Sequence, residues 1–164
     1  MSMKTLLILR HAKSDWGDFR LSDHDRPLNK RGKSDAPRMG ELIREQGLTP
    51  DLILSSTAKR AHQTAQLVAE TCGYEAEVIT SREMYQAGPE EYVEGINSLA
   101  DDEAILMIVG HNPGMEELVD TLTGESVTMT TANLAQVQFP IVSWRDLRPH
   151  TEGKLLNLWR PKEL

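Results

Sequence analysis

Short apolar runs alternate along the chain with longer stretches whose apolar residues recur at helical spacing. The run Thr5 to Arg10 has the length of a strand and stops abruptly at Arg10-His11. A polar loop then extends from His11 to about Leu28. Asn29 is the expected N-cap of a helix running to Gln46 and stopped by Gly47, with Ala36, Met39, Leu42 and Ile43 on its apolar face. Pro37 falls inside this helix and is expected to kink or split it. Asp51 to Ser55 reads as a second strand. Ser55, Ser56 or Thr57 then caps a helix through Cys72, with Gly73 just past its end. Glu77 to Thr80 reads as a third strand, and Pro89-Glu90-Glu91-Tyr92 opens a helix. Ala104 to Val109 is almost continuously apolar, the pattern of a central strand buried on both faces. Asn112 caps the next helix, with Pro113 at its first position, Leu122 near its end and Gly124 beyond. Ala135 to Ile141 and Lys154 to Trp159 read as two further strands, antiparallel at a sheet edge. Strands alternating with helices in this way predict an α/β fold.

Composition narrows the functional classes. The 164 residues suit one domain over 1–164, large enough for a proper core. No apolar run reaches the length of a membrane span. The apolar run behind Met1-Ser2-Met3-Lys4 is too short for a signal peptide and lacks a small-residue cleavage site, so the chain reads as cytoplasmic. A single cysteine, Cys72, excludes an internal disulfide and a cysteine-based metal cluster, and reads as a small buried side chain. A formal net charge of −7 argues against a nucleic-acid binder but is compatible with a small, locally positive pocket.

Ligands of open α/β sheets bind outside the carboxyl ends of the strands. Arg10-His11 stands at such an end, and His111 follows the fourth strand in Gly110-His111-Asn112-Pro113-Gly114. Arg60 falls in the first turn of the helix after the second strand. It is either a solvated surface arginine or a second contact for an anion held at a helix N-terminus. Two arginines and two histidines at one sheet edge predict an anionic ligand. They lack the acidic partners and spacing of a zinc or magnesium site. The chain has no Gly-rich phosphate loop and no GxSxG elbow.

Four separated motifs occur in order: Leu9-Arg10-His11-Ala12; Arg26-Pro27-Leu28 with Arg31-Gly32; Ser55-Ser56 leading to Arg60-Ala61 and Thr64-Ala65; and Val109-Gly110-His111-Asn112. With them the chain resembles the histidine phosphatase superfamily, which includes phosphoglycerate mutase-like enzymes. Arg10-His11-Ala12-Lys13-Ser14, the following Trp16 and the compact length resemble its SixA-type phosphohistidine phosphatases most. Ala12 stands where many members have glycine, a departure of one methyl group. The resemblance implies a three-layer α/β sandwich, with a mostly parallel central sheet, an antiparallel edge and helices on both faces. It also implies that His11 attacks phosphorus and is transiently phosphorylated while Arg10, Arg60 and His111 clamp the phosphoryl oxygens. Ser14 and Lys13 are further phosphate contacts, and no metal or cofactor is called for. Many relatives protonate the leaving group with a carboxylate after the third strand. Glu83 is the candidate here, with Asp15, Glu90 and Glu91 as rivals. Trp16 reads as a wall of the cleft, and Trp144 and Trp159 as packing residues. His24 reads as a loop residue at the surface or at the mouth of the site, His62 as structural or exposed, and His150 has no role.

The function expected is a phosphohistidine phosphatase acting on a signalling or phosphotransfer protein. An imidazole leaving group, with a pKa of about 6.5, needs far less proton assistance than an alkoxide, whose parent resembles water at about 15.7. An uncertain general acid therefore suits phosphohistidine better than a phosphate ester. The short segment between the third and fourth strands also leaves little material for a lid. The alternative is a small-molecule phosphomonoesterase acting on a phosphorylated metabolite. A mutase, and a non-catalytic phospho-ligand sensor, rank below both.

Overall fold

A computed structural model describes residues 3–164, so Met1 and Ser2 lie outside the described residues. Six strands form one sheet: β1 (Lys4–Arg10), β2 (Leu52–Ser56), β3 (Ile79–Ser81), β4 (Ile105–Gly110), β5 (Leu134–Phe139) and β6 (Lys154–Trp159). Their spatial order is β3-β2-β4-β1-β5-β6. Pairing is parallel from β3 through β1, and antiparallel between β1 and β5 and between β5 and β6. The expected parallel core with an antiparallel edge is present. Among the described residues no helix is long and apolar enough to cross a membrane.

Alternation along the central strands divides the interior into two clusters. Leu6 and Ile8 of β1 and Leu106 and Ile108 of β4 face one cluster. Leu7, Leu9, Met107 and Val109 face the other. Helices α3 (Pro89–Leu99) and α4 (Gly114–Thr123) bury Tyr92, Ile96, Leu118 and Val119 in the first. Helices α1 (Lys30–Glu45) and α2 (Lys59–Cys72) bury Ala36, Met39, Ala61 and Ala65 in the second. Each fully buried Leu or Ile contributes about 1.5–3 kcal/mol. The sheet is thereby fixed from both faces, and the carboxyl ends of β1, β2 and β4 are left as its functional edge.

Several boundaries differ from the sequence expectation. Pro37 does not break α1, which runs unbroken from Lys30 to Glu45. The carbonyl deprived of its partner is that of Lys33, an exposed residue where water can serve, and close packing on α2 holds the helix together. Asn29 caps α1 as expected, accepting the Gly32 amide at 2.9 Å. By contrast α2 starts at Lys59, with Ala58 at its N-cap and no side-chain cap. α4 starts at Gly114 rather than Pro113, and Asn112 is not its cap. The serine and asparagine side chains are engaged in the site instead. Gly73 and Gly124 close their helices in the left-handed conformation, at φ of 88° and 76°.

The start of α1 also braces the loop that follows β1. The Lys13 carbonyl accepts the Asn29 amide at 3.0 Å, and the Asp15 amide donates to Pro27 at 2.8 Å. Gly32 lies so close that a Cβ there would overlap the Lys13 carbonyl oxygen. Gly32→Ala is therefore expected to lower stability by about 1–3 kcal/mol, read as a drop in the urea midpoint at unchanged slope.

Candidate active site

The paired ends of β1 and β4 place the two histidines side by side. Arg10 pairs with Gly110, and the His11 amide donates to the Gly110 carbonyl at 3.0 Å. The next side chains on both strands are histidines, and their ring centroids lie 5.1 Å apart. Gly110 is required here because a Cβ would overlap the Tyr92 hydroxyl. That hydroxyl accepts the His111 amide at 3.1 Å.

The His11 Nδ1 lies 2.7 Å from the Ala12 carbonyl. A carbonyl only accepts, so Nδ1 carries the proton and Nε2 keeps its lone pair. Burial pushes the His11 pKa down to about 3, and the neighbouring His111, Arg60 and Arg10 push the same way. The Ala12 amide is in turn held by Thr64 Oγ1 at 3.0 Å. Thr64 lies one helical turn after Arg60, so one face of α2 positions both the backbone next to His11 and an arginine. The His111 Nε2 shares a hydrogen bond of 2.8 Å with Ser56 Oγ at the end of β2. Burial, followed by Arg60, lowers the His111 pKa to about 4.

Arg10, His11, Arg60 and His111 do converge on one pocket, of about 260 Å³. Lys13, Ser14, Trp16, Arg26, Asn112 and Thr131 complete its lining. Ser14 reaches it with its hydroxyl already engaged, accepting from Arg26 Nη1 at 2.7 Å. Trp16 is a wall, as expected, with the Arg26 guanidinium 3.4 Å from its ring centroid. Asn112 uses its amide nitrogen on the Met129 carbonyl at 2.8 Å. Arg10 Nη1 donates to the same carbonyl at 2.9 Å. Arg10 Nε, Arg60 Nε, His111 Nδ1 and Asn112 Oδ1 are buried without a protein partner, a concentration of unmet polar groups typical of a working site.

The carboxylates are arranged differently from the expectation. The structure does not bring Glu83 to the pocket: it is exposed on the single turn Arg82–Met84. Asp15 accepts the Gly17 amide at 2.6 Å, Glu90 is exposed, and Glu91 caps α3 through the Gly88 amide at 3.0 Å. Among the described residues no carboxylate lines the pocket, and no group of three or more His, Cys, Asp or Glu is placed to hold a metal ion.

Sequence reasoning missed Asp23. Its Oδ1 accepts Arg26 Nε and Nη2 at 3.1 and 3.0 Å. Its Oδ2 accepts Arg60 Nη2 at 3.0 Å and the Tyr85 hydroxyl at 2.7 Å. Its carbonyl accepts Arg60 Nη1 at 2.7 Å. The Tyr85 hydrogen bond, then the two arginines, holds its carboxyl well below the usual range. The only sequence signal was indirect: buried arginines require a nearby anion. His24 lies at the mouth, with Nε2 2.8 Å from Thr57 Oγ1 and its ring edge-on to Tyr85. His62 lies away from the pocket, and Trp144 is fully buried.

In a titration followed by NMR, His11 is expected to stay neutral, with the proton on Nδ1, across pH 5–8. A midpoint near 6.5 would contradict the geometry. The unfolded chain binds protons on both histidines at about pH 6.5 while the native state resists them, so stability is complete above that pH. It is expected to fall as pH drops from about 6.5 toward 4, which thermal melts at stepped pH would show.

The model of the histidine phosphatase superfamily, branch 1, matches residues 6–85. An uncharacterized chloroplastic protein of Arabidopsis thaliana is 36% identical over 152 residues, spanning 87% of this chain and 70% of its own. A 2,3-bisphosphoglycerate-dependent phosphoglycerate mutase of Streptomyces avermitilis is 43% identical over 68 residues, only 40% of this chain and 27% of the mutase. A candidate phosphohistidine phosphatase SixA of Nakamurella shares the fold, with a TM-score of 0.86, 24% identity and 98% of each chain covered. Another, from Agrobacterium tumefaciens, is 30% identical with a TM-score of 0.81, covering 96% of this chain and 98% of that one. The family match and these likenesses agree, and the chain belongs to the histidine phosphatase superfamily.

Proposed function

We infer that residues 1–164 form one histidine phosphatase domain that removes the phosphoryl group from a phosphohistidine on another protein, in the cytoplasm and without a metal. The observation that carries this reading is a pocket rich in cations and histidines with no carboxylate in its lining. Asp23, the acid bonded to Arg26 and Arg60 of the pocket, is ionised and consumed by two arginines and a tyrosine, so it is a poor proton donor. An ester phosphatase would have to expel an alkoxide here without an acid. A phosphohistidine phosphatase expels imidazole, which leaves with little help. The size of the pocket points the same way. About 260 Å³ lies below the roughly 300–1,000 Å³ of sites that enclose a whole small ligand.

The His11 Nε2 lone pair attacks phosphorus while the P–N bond to the substrate imidazole breaks, and the departing ring takes its proton from solvent. Arg10, Arg60, His111 and Ser14 hold the phosphoryl oxygens as charge moves across them. The Ala12 carbonyl keeps the attacking tautomer and stabilises the ring as it becomes positive. Water then cleaves the phosphorus–nitrogen bond of phospho-His11, releasing inorganic phosphate and regenerating the neutral ring. Glu83 would need its turn to move before it could act as an acid.

His11→Ala is expected to abolish turnover while retaining part of the phosphate affinity, as measured by calorimetry. Surviving turnover would rule out the covalent route. Rates on a phosphohistidine-bearing protein and on p-nitrophenyl phosphate separate the substrate classes. Fast loss of phosphohistidine with slow ester hydrolysis is expected. Comparable or faster ester hydrolysis would make the protein a small-molecule phosphomonoesterase.

A further inference from the structure

The segment that rims the pocket carries three exposed apolar side chains. Between Ser14 and Arg26 most of the carboxylates are engaged in local hydrogen bonds or ion pairs, and the apolar groups stand in solvent beside them. Asp15 accepts the Gly17 amide at 2.6 Å. Asp18 accepts the Arg20 amide at 3.1 Å and pairs with the Arg20 guanidinium at 3.0 Å, while its carbonyl holds the Leu21 amide at 3.2 Å. Asp23 binds Arg26 and Arg60. Trp16, Phe19 and Leu21 meanwhile stand 72%, 94% and 39% exposed within six residues. The chain has only two phenylalanines and three tryptophans, and this loop shows one of each to water. Isolated exposed apolar residues are ordinary, but three within six residues, two of them aromatic and one on the pocket wall, match the aromatic enrichment of interface cores.

Position says what the cluster serves. Trp16 belongs at once to the loop and to the pocket wall, stacked on Arg26. The run of exposed apolar residues therefore starts at the pocket wall itself. The pocket has room for a phosphoryl group and a ring but not for the body that carries them. That body must rest on the rim.

We propose that Trp16, Phe19 and Leu21 form the docking surface for a folded protein that presents its phosphohistidine among apolar side chains. The proposal rests on the phosphohistidine reading above. The loop supplies aromatic contact area beside the pocket, and aromatic side chains lose little conformational entropy when they order on contact.

The test replaces Phe19 and Leu21 together by serine in the full chain, leaving Trp16 and every other pocket-lining residue intact. Both positions are exposed, and a thermal melt checks that the fold is kept. Two probes are compared with the unaltered chain: a helical histidine phosphotransfer domain phosphorylated with phosphoramidate, and free N-phosphoimidazole. The expected result is a loss of about tenfold or more in kcat/KM on the domain, mainly through KM, with turnover of N-phosphoimidazole within about twofold. Equal losses on both probes would mean the loop shapes the pocket, and unchanged turnover of the domain would mean it docks nothing; either overturns the proposal. So would sedimentation showing that the substitutions dissolve a dimer while turnover of the domain persists, since a second copy would then be the occupant. If the unaltered chain acts on neither probe, the phosphohistidine reading itself fails, and the docking surface with it.

Discussion

One carboxylate makes this positive pocket possible. Arg10, Arg26 and Arg60 crowd two histidines at the end of a sheet, and like charges repel strongly where water is scarce. Arg26 and Arg60 are 7% and 6% exposed, a burial that guanidinium groups tolerate only with partners. Asp23 satisfies both, with one oxygen turned to each, and its own backbone carbonyl takes a further Arg60 donor. It is half exposed, so its desolvation cost is modest. Tyr85 adds a donor to the same oxygen that meets Arg60. The loop after β1, the first turn of α2 and the turn after β3 are thus tied through one side chain. The arginines are held in place before any phosphoryl group arrives, so none of that ordering falls on the reaction.

Charge repulsion and burial also cooperate on the histidines. Either alone would lower their pKa values; together they keep both rings neutral. For His11 this preserves the lone pair on Nε2, which a protonated ring lacks. The Ala12 carbonyl opposes the trend by favouring the protonated ring. The ring is thus kept neutral with a partner already in place for any positive charge that forms on it.

The sequence made the sheet legible where strands end in reactive residues. Arg10-His11 stands out because an apolar run meets a polar residue directly, and His111 because it follows the most apolar run after a single glycine; parallel pairing of β1 with β4 does the rest. Helix starts were less legible for a specific reason. Ser56 and Asn112 are good capping residues, yet Ser56 binds His111 and Asn112 binds the Met129 carbonyl. Local preference gave way to tertiary demand at the site itself. Pro37 follows the same logic, since packing along α1 and α2 outweighs one lost hydrogen bond. The role of Asp23 and Tyr85 was invisible because, beyond the local pair with Arg26, Arg60 and Tyr85 lie 37 and 62 residues from Asp23 with no periodicity to link them. Glu83 was chosen by its place after a strand, but the short turn that carries it faces outward.

The stacking of Trp16 on Arg26 has an optical consequence. Indole emission responds to a cation held against the ring and to the water around it. Trp16 has both influences, at 3.4 Å from a guanidinium and 72% exposed. Trp144 is fully enclosed, with its indole N–H bonded to the Glu103 carbonyl, and contributes a steady background. Whatever draws Arg26 toward the pocket, or covers the ring from outside, must change the first signal and spare the second. The protein thus carries a fluorophore of its own at the entrance to its site, and occupancy can be followed by light without attaching a label.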